Sequence, residues 1–477
     1  MIKGLKFKNK VLNFTSDKID ATDENVFTVI IGKNGSGKST LFQNLILSLL
    51  SSNQIDLPIT DIKRIYKKPI TKIIAVSTTA FDKFPIRKLS EKYKYLGLRG
   101  LSSHDYSKSY LSLIIGSFLD SLISSKQERL TNVLNHLGFE GKIKIKLALG
   151  LGNNVIRRFS NNNEDQDVLQ LMYRLYVKAQ LGNEKISDFY FDSNNKSYHH
   201  LAYSIKSKPN QNDYFNISEL NYLDDTKTIH NKFIEFQKTL DILVSEPFYS
   251  HKRIMNLIVE NGNIFHEEHL LPITPDISYL LNAGILRLEG VELYKTISNE
   301  KVKIENASSG EQSLIISILG IFSAIKDNSI IFIDEPETSL HPEWQERYMH
   351  ILISTFKSFK NCHFIIATHS PQIISQLEDS NCYVMSMDDG LAKSAISYIN
   401  KSSDFQLATL FNSPGFSNEY LTRVSLTLFS KIKNTKTIDD NDKKLLNDLK
   451  EILTVIRKTD PVYSLIQAVI EASDYYG

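Results

Sequence analysis

Residues Gly32 to Thr40 read GKNGSGKST and follow the unbroken apolar run Val26 to Ile31, VFTVII. A strand that empties into this loop, with LFQNLILSLL behind it, restricts the chain to an α/β sheet built on a strand, loop and helix. Gly35 and Gly37 let successive backbone N–H groups close around a phosphate with no Cβ in the way. Lys38 reaches the outer phosphates, and the Ser39 hydroxyl takes a place on Mg2+. Asn34, Ser36 and Thr40 complete the candidate lining. The helix that starts near Lys38 adds the positive end of its dipole. The expected ligand is a nucleoside triphosphate with Mg2+.

A second apolar run, Ile330 to Ile333, delivers two acids, Asp334 and Glu335. Acids at the end of a buried run are costly unless they serve a cation. Asp334 can hold Mg2+ through water, and Glu335 can orient and deprotonate an attacking water. Farther on, His369 in ATHSP follows another buried run. Alone it reads as a structural histidine; in this order it is a candidate sensor of the γ-phosphate. Ser308, Ser309, Gly310 and Glu311 open a further helix with free N–H groups, about 25 residues before the acidic strand.

At 477 residues, several structural units are expected. A net charge of +2 argues neither for nor against nucleic acid. The window Asp61 to Gly100 is locally basic, with Tyr66, Tyr93 and Tyr95 among its lysines and arginines. It reads either as a phosphate-tracking surface or as a solvated face. Cys362 and Cys382 form no CxxC pattern, so a disulfide framework is not expected. MIKGLKFKNK lacks the apolar core of a secretory signal, and the longest apolar stretches are too short for a membrane span or contain Asp120. The expected setting is cytoplasmic, with no membrane partner.

Four segments are expected. Residues 1–100 hold the phosphate loop, and Lys72 to Thr78 (KIIAVST) should form a strand beside the first one. Residues 101–275 read as a mostly helical insert, carried by SYLSLIIGSFLDSLISS, EDQDVLQLMYRLYVKAQ and IHNKFIEFQKTLDILVSE. Residues 276–400 return to β character and carry the acids and His369. Residues 401–477 form a helical tail that ends in DYYG.

As a set, GKNGSGKST, ASSGEQ, IIFIDEPETSLHPEWQ and ATHSP resemble the ABC-type ATPase heads of the SMC, RecF and OLD group. The resemblance covers about 1–100 and 280–400. It implies an α/β P-loop ATPase head, a mixed sheet flanked by helices, with an inserted helical domain and the helical tail. It makes Ser308 to Glu311 the signature motif, which completes the ATP site of a second copy, so that ATP is sandwiched in a homodimer. It gives Asp334 and Glu335 the roles of the Walker B acids, puts Ser339 to His341 at the D-loop and makes His369 the switch histidine. No glutamine follows KIIAVST where such heads have one, and Ser77 to Asp82 stands at that position. The insert shows no zinc hook or long coiled coil, and the tail no Toprim-like pattern. What remains resembles the ATPase subunits of the Septu and retron-associated antiphage systems, which work with a separately encoded effector, an HNH-type nuclease in Septu. The alternative is a RecF-like repair ATPase with DNA as partner; a transporter ATPase subunit is disfavoured by the missing glutamine and the large insert.

Overall fold

A computed structural model describes residues 1–8, 10–16, 23–33, 35–50, 59–64, 68–79, 81–86, 92–99, 106–124, 127–149, 189–192, 197–200, 254–260, 263–267, 286–377 and 381–476, together with Ser90 and Leu281. The first elements are β1 (Ile2–Phe7), β2 (Lys10–Asn13), β3 (Val26–Ile31), α1 (Lys38–Leu50), β4 (Ile59–Arg64), β5 (Ile73–Ser77) and β6 (Tyr93–Leu96). Then come α2 (Tyr106–Ser124), α3 (Gln127–His136), β7 (Phe139–Leu149), β8 (Phe189–Asp192), β9 (Ser197–His200), β10 (Ile254–Glu260), β11 (Asn263–His266), β12 (Leu286–Lys295) and β13 (Lys301–Lys303). The rest are α4 (Ser309–Ala324), β14 (Ile330–Asp334), α5 (Pro342–Phe356), β15 (His363–Thr368), α6 (Pro371–Ser375), β16 (Cys382–Ser386) and β17 (Ala392–Ser394). The tail is α7 (Ser403–Thr409), α8 (Glu419–Thr435), α9 (Asp440–Leu453) and α10 (Pro461–Tyr476).

Two compact units result, one of Met1–Arg99, Ser309–Ser317 and Ile325–Gly477, the other of Gly100–Ser308 and Ile318–Ala324. The first is built on a seven-stranded sheet of order β17-β16-β3-β15-β14-β5-β6. All its pairings are parallel except that of β16 with β17. Every residue of β3, β5, β14 and β15 is buried. That is the burial expected of parallel strands covered on both faces, and it explains why their sequences are apolar runs without alternation. The strand from KIIAVST corrects the expectation of a neighbour for β3: it pairs with β14 and β6, and both β14 and β15 lie between it and β3. Propensity places a strand in a sheet but says nothing of its neighbours. Beneath the phosphate loop, Phe42 of α1 packs edge-on against Phe332 of β14 at 5.2 Å and stacks with Phe84 at 6.0 Å.

His363, at the opposite end of the sheet from the loop, is fully buried. The Ile2 N–H donates to its Nδ1 at 3.1 Å, and Nε2 lies 2.9 Å from Thr28 Oγ1. The Thr28 hydroxyl proton goes to the Phe14 carbonyl at 2.7 Å, so Nε2 carries the ring proton and donates. Burial holds this imidazole neutral, with a pKa well below its usual range.

The second unit carries an antiparallel sheet of order β11-β10-β7-β12-β13. Along β7, Ile143, Ile145 and Leu147 are buried. Lys142, Lys144 and Lys146 alternate with them and pair with Glu260 (3.6 Å), Glu267 (2.6 Å) and Glu292 (2.5 Å). The 101–275 stretch, expected to be mostly helical, thus contains α2 and α3 but also β7, β10, β11 and the β8–β9 hairpin among its described residues. The period-two alternation KIKIKLAL is a strand signal that the helical reading passed over. The helical expectations for residues 164–180 and 229–246 lie outside the described residues.

In the tail, Leu421, Leu428, Ile432, Leu446, Leu449 and Ile466 form a separate apolar core. Its helices start at side-chain caps. Asn418 accepts from the Leu421 N–H at 3.0 Å, and Asp439 and Asp442 make a reciprocal capping box at 2.8 and 3.0 Å. The acids of IDDNDKK are therefore a helix start. No helix among the described residues is long and apolar enough to cross a membrane.

Candidate functional site

Parallel register puts the C-terminal tips of four strands in one row: Ser77 and Ala367 flank Asp334 on β5 and β15, and Thr368 aligns with Ile31. An open parallel sheet binds its ligands along that edge. Gly32 to Ser39 leave β3 there. Gly35 and Gly37 have φ of +79° and +97°, the left-handed region where a Cβ is penalised. Gly32 needs to be glycine for a different reason, since a Cβ would sit 2.7 Å from Ser36 Oγ and 3.1 Å from the Met387 Cβ. Asn34 lies outside the described residues. Thr40 is held from the side by Lys83, whose ammonium donates to its hydroxyl at 2.9 Å.

Lys38 is buried to 5% exposure. Its ammonium donates to the Gly32 carbonyl at 2.9 Å and to His369 Nε2 at 2.6 Å. Burial lowers its pKa, while Glu335, Asp334 and Glu337 raise it. His369 is also held below its usual range, by burial and then by Lys38, with Glu335 opposing. A neutral imidazole accepting from an ammonium satisfies both groups. Glu335 Oε1 stands 3.6 Å from the same Nε2. Sequence positions 38, 335 and 369 therefore meet within one side-chain cluster, about where a terminal phosphate would reach.

Glu335 is set by its backbone. It takes φ 48° and ψ 58°, left-handed for a non-glycine residue, a conformation that costs of order 1–3 kcal/mol. Its N–H donates to the Ala367 carbonyl at 2.9 Å, and its carbonyl accepts from the Thr338 N–H (3.2 Å) and hydroxyl (3.0 Å). The turn lifts the carboxylate off the strand that buries Asp334.

Burial pushes the Asp334 carboxyl up to about 7, against a hydrogen bond from Ser39, with Glu335 and Asp82 adding to the rise. Asp334 Oδ1 and Ser36 Oγ are buried without a hydrogen-bond partner. The Ser39 hydroxyl together with a buried Asp334 carboxyl that keeps a spare oxygen fits Mg2+, which takes few protein ligands and keeps waters and phosphate oxygens for the rest. No group of three or more His, Cys, Asp or Glu able to hold a metal occurs among the described residues.

The candidate signature residues divide. Ser308 falls in the second unit, while Ser309, Gly310 and Glu311 form the first turn of α4 in the first. A Cβ built on Gly310 would lie 3.4 Å from the Ser339 carbonyl and 3.5 Å from the His341 N–H and the Trp344 ring. The turn at Gly310 thus packs against the 339–344 segment of its own chain.

Two residues were missed in the sequence. Glu337 accepts the His369 N–H at 2.6 Å; burial raises its pKa against that bond. Gln345 accepts the Ser370 hydroxyl at 2.6 Å and donates to the Leu340 carbonyl at 2.9 Å. The available signal was the third acid in DEPE, two places after a candidate catalytic one. The stand-in for the missing glutamine also resolves partly. Asp82 is occupied by the Tyr95 hydroxyl (2.7 Å), the Phe84 N–H (2.9 Å) and Arg99, while Thr78 reaches the Glu335 carbonyl at 3.4 Å.

A match to the AAA ATPase domain covers residues 6–374. The chain belongs to the AAA ATPase domain family. The chain is 20% identical over 400 residues to the Retron Vc95 probable ATPase of Vibrio cholerae serotype O1 biovar El Tor, covering 76% of this chain and 69% of that one. Identity to the Retron Ec83 probable ATPase of Escherichia coli is 26% over 152 residues, or 28% of each chain. Identity to the Septu protein PtuA of Bacillus mycoides (strain KBAB4) is 24% over 202 residues, 39% of this chain and 27% of that one. The chain spans under a third of the length of two of these relatives and 69% of the third. For this ATPase domain, then, the family and the strand-tip cluster agree on nucleotide chemistry.

Proposed function

We propose that this chain is an ATP-gated regulatory ATPase of an antiphage defence complex, working in the cytoplasm on a separately encoded effector nuclease, with an HNH type expected from the Septu resemblance. The observation that carries the reading is the meeting of Lys38, Glu335 and His369 beside Asp334 at one sheet edge. Lys38 leaves His369 to bind the outer phosphates. Glu335 orients and deprotonates the attacking water, and His369 contacts the γ-phosphate. Ser39 and Asp334 would hold Mg2+, which neutralises phosphate charge when bound. Ser308 to Glu311 serve the site of a second copy, so ATP holds a homodimer together and hydrolysis releases it. Turnover is slow, limited by opening and closing rather than by chemistry. The relatives named as retron ATPases and a Septu protein support the defence setting.

The RecF-like reading, with DNA as partner, loses part of its basis. In the basic window Tyr93 is buried, Tyr95 is bonded to Asp82, and Arg99 donates to the Asp82 carbonyl, so these side chains serve packing.

The test is to purify Glu335→Gln with its co-expressed neighbouring gene products and weigh the complex with and without ATP. An ATP-dependent assembly of two copies that includes a nuclease is expected. A monomer in ATP sinks the sandwich, and a bare dimer whose DNA affinity falls steeply with salt replaces the defence reading by the repair one.

A further inference from the structure

Glu337 is the acid that the hydrolytic roles above leave unused. It sits two residues beyond Glu335, in the 3-10 turn Pro336–Ser339. Its carboxylate takes the backbone N–H of His369 at 2.6 Å. That N–H lies just past the tip of β15, whereas Glu337 follows the tip of β14. The neighbouring residue of the switch segment is tied the same way: the Ser370 hydroxyl donates to Gln345 Oε1 at 2.6 Å, and the Gln345 amide donates to the Leu340 carbonyl at 2.9 Å. Two side chains from the 336–345 segment thus hold two consecutive residues of the 368–370 segment. A charge-assisted bond of this length is stronger and more directional than a neutral one.

The same turn sets Glu335. Its left-handed φ and the bonds from Thr338 to its carbonyl fix where the carboxylate stands relative to Glu337. Glu335 Oε1 and His369 Nε2, 3.6 Å apart, thus stand on two segments that the Glu337 bond joins. That separation matters because a misplacement of about 1 Å can cost about a hundredfold in rate.

We infer that Glu337 is a positioning residue for ATP hydrolysis: it fixes the backbone of His369 against the turn that carries Glu335 and sets their spacing across the terminal phosphate, with Gln345 holding the adjacent Ser370. The inference rests on the hydrolytic reading of His369 and Glu335. Glu337 itself touches no nucleotide and carries no proton in the reaction. Its effect passes through His369, and that makes it separable from a residue that merely stabilises the fold.

The test is a double-mutant cycle on the full chain, reading ATP turnover with Mg2+ and, separately, the affinity for a fluorescent ADP analogue. Glu337→Ala should lower kcat about tenfold to a hundredfold, with ADP affinity within about twofold of the wild type. His369→Ala should lower kcat by a similar or larger factor. Glu337→Ala in the His369→Ala background should add less than about twofold, because a brace has nothing left to position. Glu337→Gln keeps an acceptor and the side-chain shape; it should recover most of the Glu337→Ala loss, and it enters the same cycle if the alanine variant does not fold. Multiplicative losses in the double variant, or a wild-type rate in Glu337→Ala alongside a slow His369→Ala, overturn the brace and leave the hydrolytic reading standing. A wild-type rate in His369→Ala overturns both.

Discussion

In the parallel sheet of the first unit the working charges stand at the strand tips, while in the antiparallel sheet of the second they run along one face. Asp334 ends a strand that is buried throughout, and Glu335 and His369 directly follow such strands, so a charge appears where the strand ends. Lys142, Lys144 and Lys146 alternate with buried residues and meet glutamates on the neighbouring elements. The first arrangement buries a carboxyl with one oxygen, Asp334 Oδ1, left without a hydrogen-bond partner; the second pairs each of these lysines with a glutamate. Unpaired charge held at an edge suits a ligand that brings charge of its own, and paired charge on a face suits solubility and register.

Four measurements would break or sharpen this contrast. The largest effect should come from Phe332→Ala, which opens a cavity beneath the phosphate loop where Phe42 packs; a loss of about 3–5 kcal/mol is expected in urea unfolding. A loss below about 1 kcal/mol would mean that the parallel core does not support the loop. Next is Lys38→Ala, expected to weaken ATP binding at least a hundredfold, about 2.8 kcal/mol, in a fluorescent-nucleotide titration. Retained affinity would show that the buried ammonium is spent on structure.

His363 tests the other end of the same sheet. The folded protein keeps it neutral, whereas the unfolded chain takes up a proton below about pH 6.5. The unfolded state then binds more protons, so stability present above that pH is lost as pH falls, at up to about 1.4 kcal/mol per pH unit. Comparing urea midpoints at pH 7.5 and 5.5, wild type should lose more than His363→Gln; equal losses would remove His363 as the cause. The smallest effect belongs to the lysine face. Glu260→Ala, at the exposed end of the ladder, should change stability by less than about 1 kcal/mol, and a larger cost would mean that the face is more than a solvated one.

Much of the catalytic half was legible. Continuous apolar runs marked β3, β14 and β15, because strands covered on both faces have no polar side to show. The phosphate loop followed from glycine spacing, and the structure finds Gly35 and Gly37 at positive φ. The helical character of the tail was legible as well, and the structure starts α9 at a capping box of Asp439 and Asp442. The β7 strand was equally legible in KIKIKLAL and was passed over because helical periodicity was sought across the whole insert. Tyr93 and Tyr95 misled in the other direction, since a tyrosine near lysines looks the same in sequence whether it stacks on a base or fills a core.

By itself the sequence determined which residues are candidates to bind a phosphate, where the buried strands lie and which acids end them, for these depend on neighbours within a few positions. Only the tertiary structure decided that β14 and β15 separate the phosphate-loop strand from KIIAVST, that Lys38 lies 2.6 Å from His369, and that Glu337 grips the His369 backbone. Those contacts join residues 32 to 331 positions apart. Strand order and register set such distances, and both are chosen by the packing of the whole sheet, which no local pattern encodes.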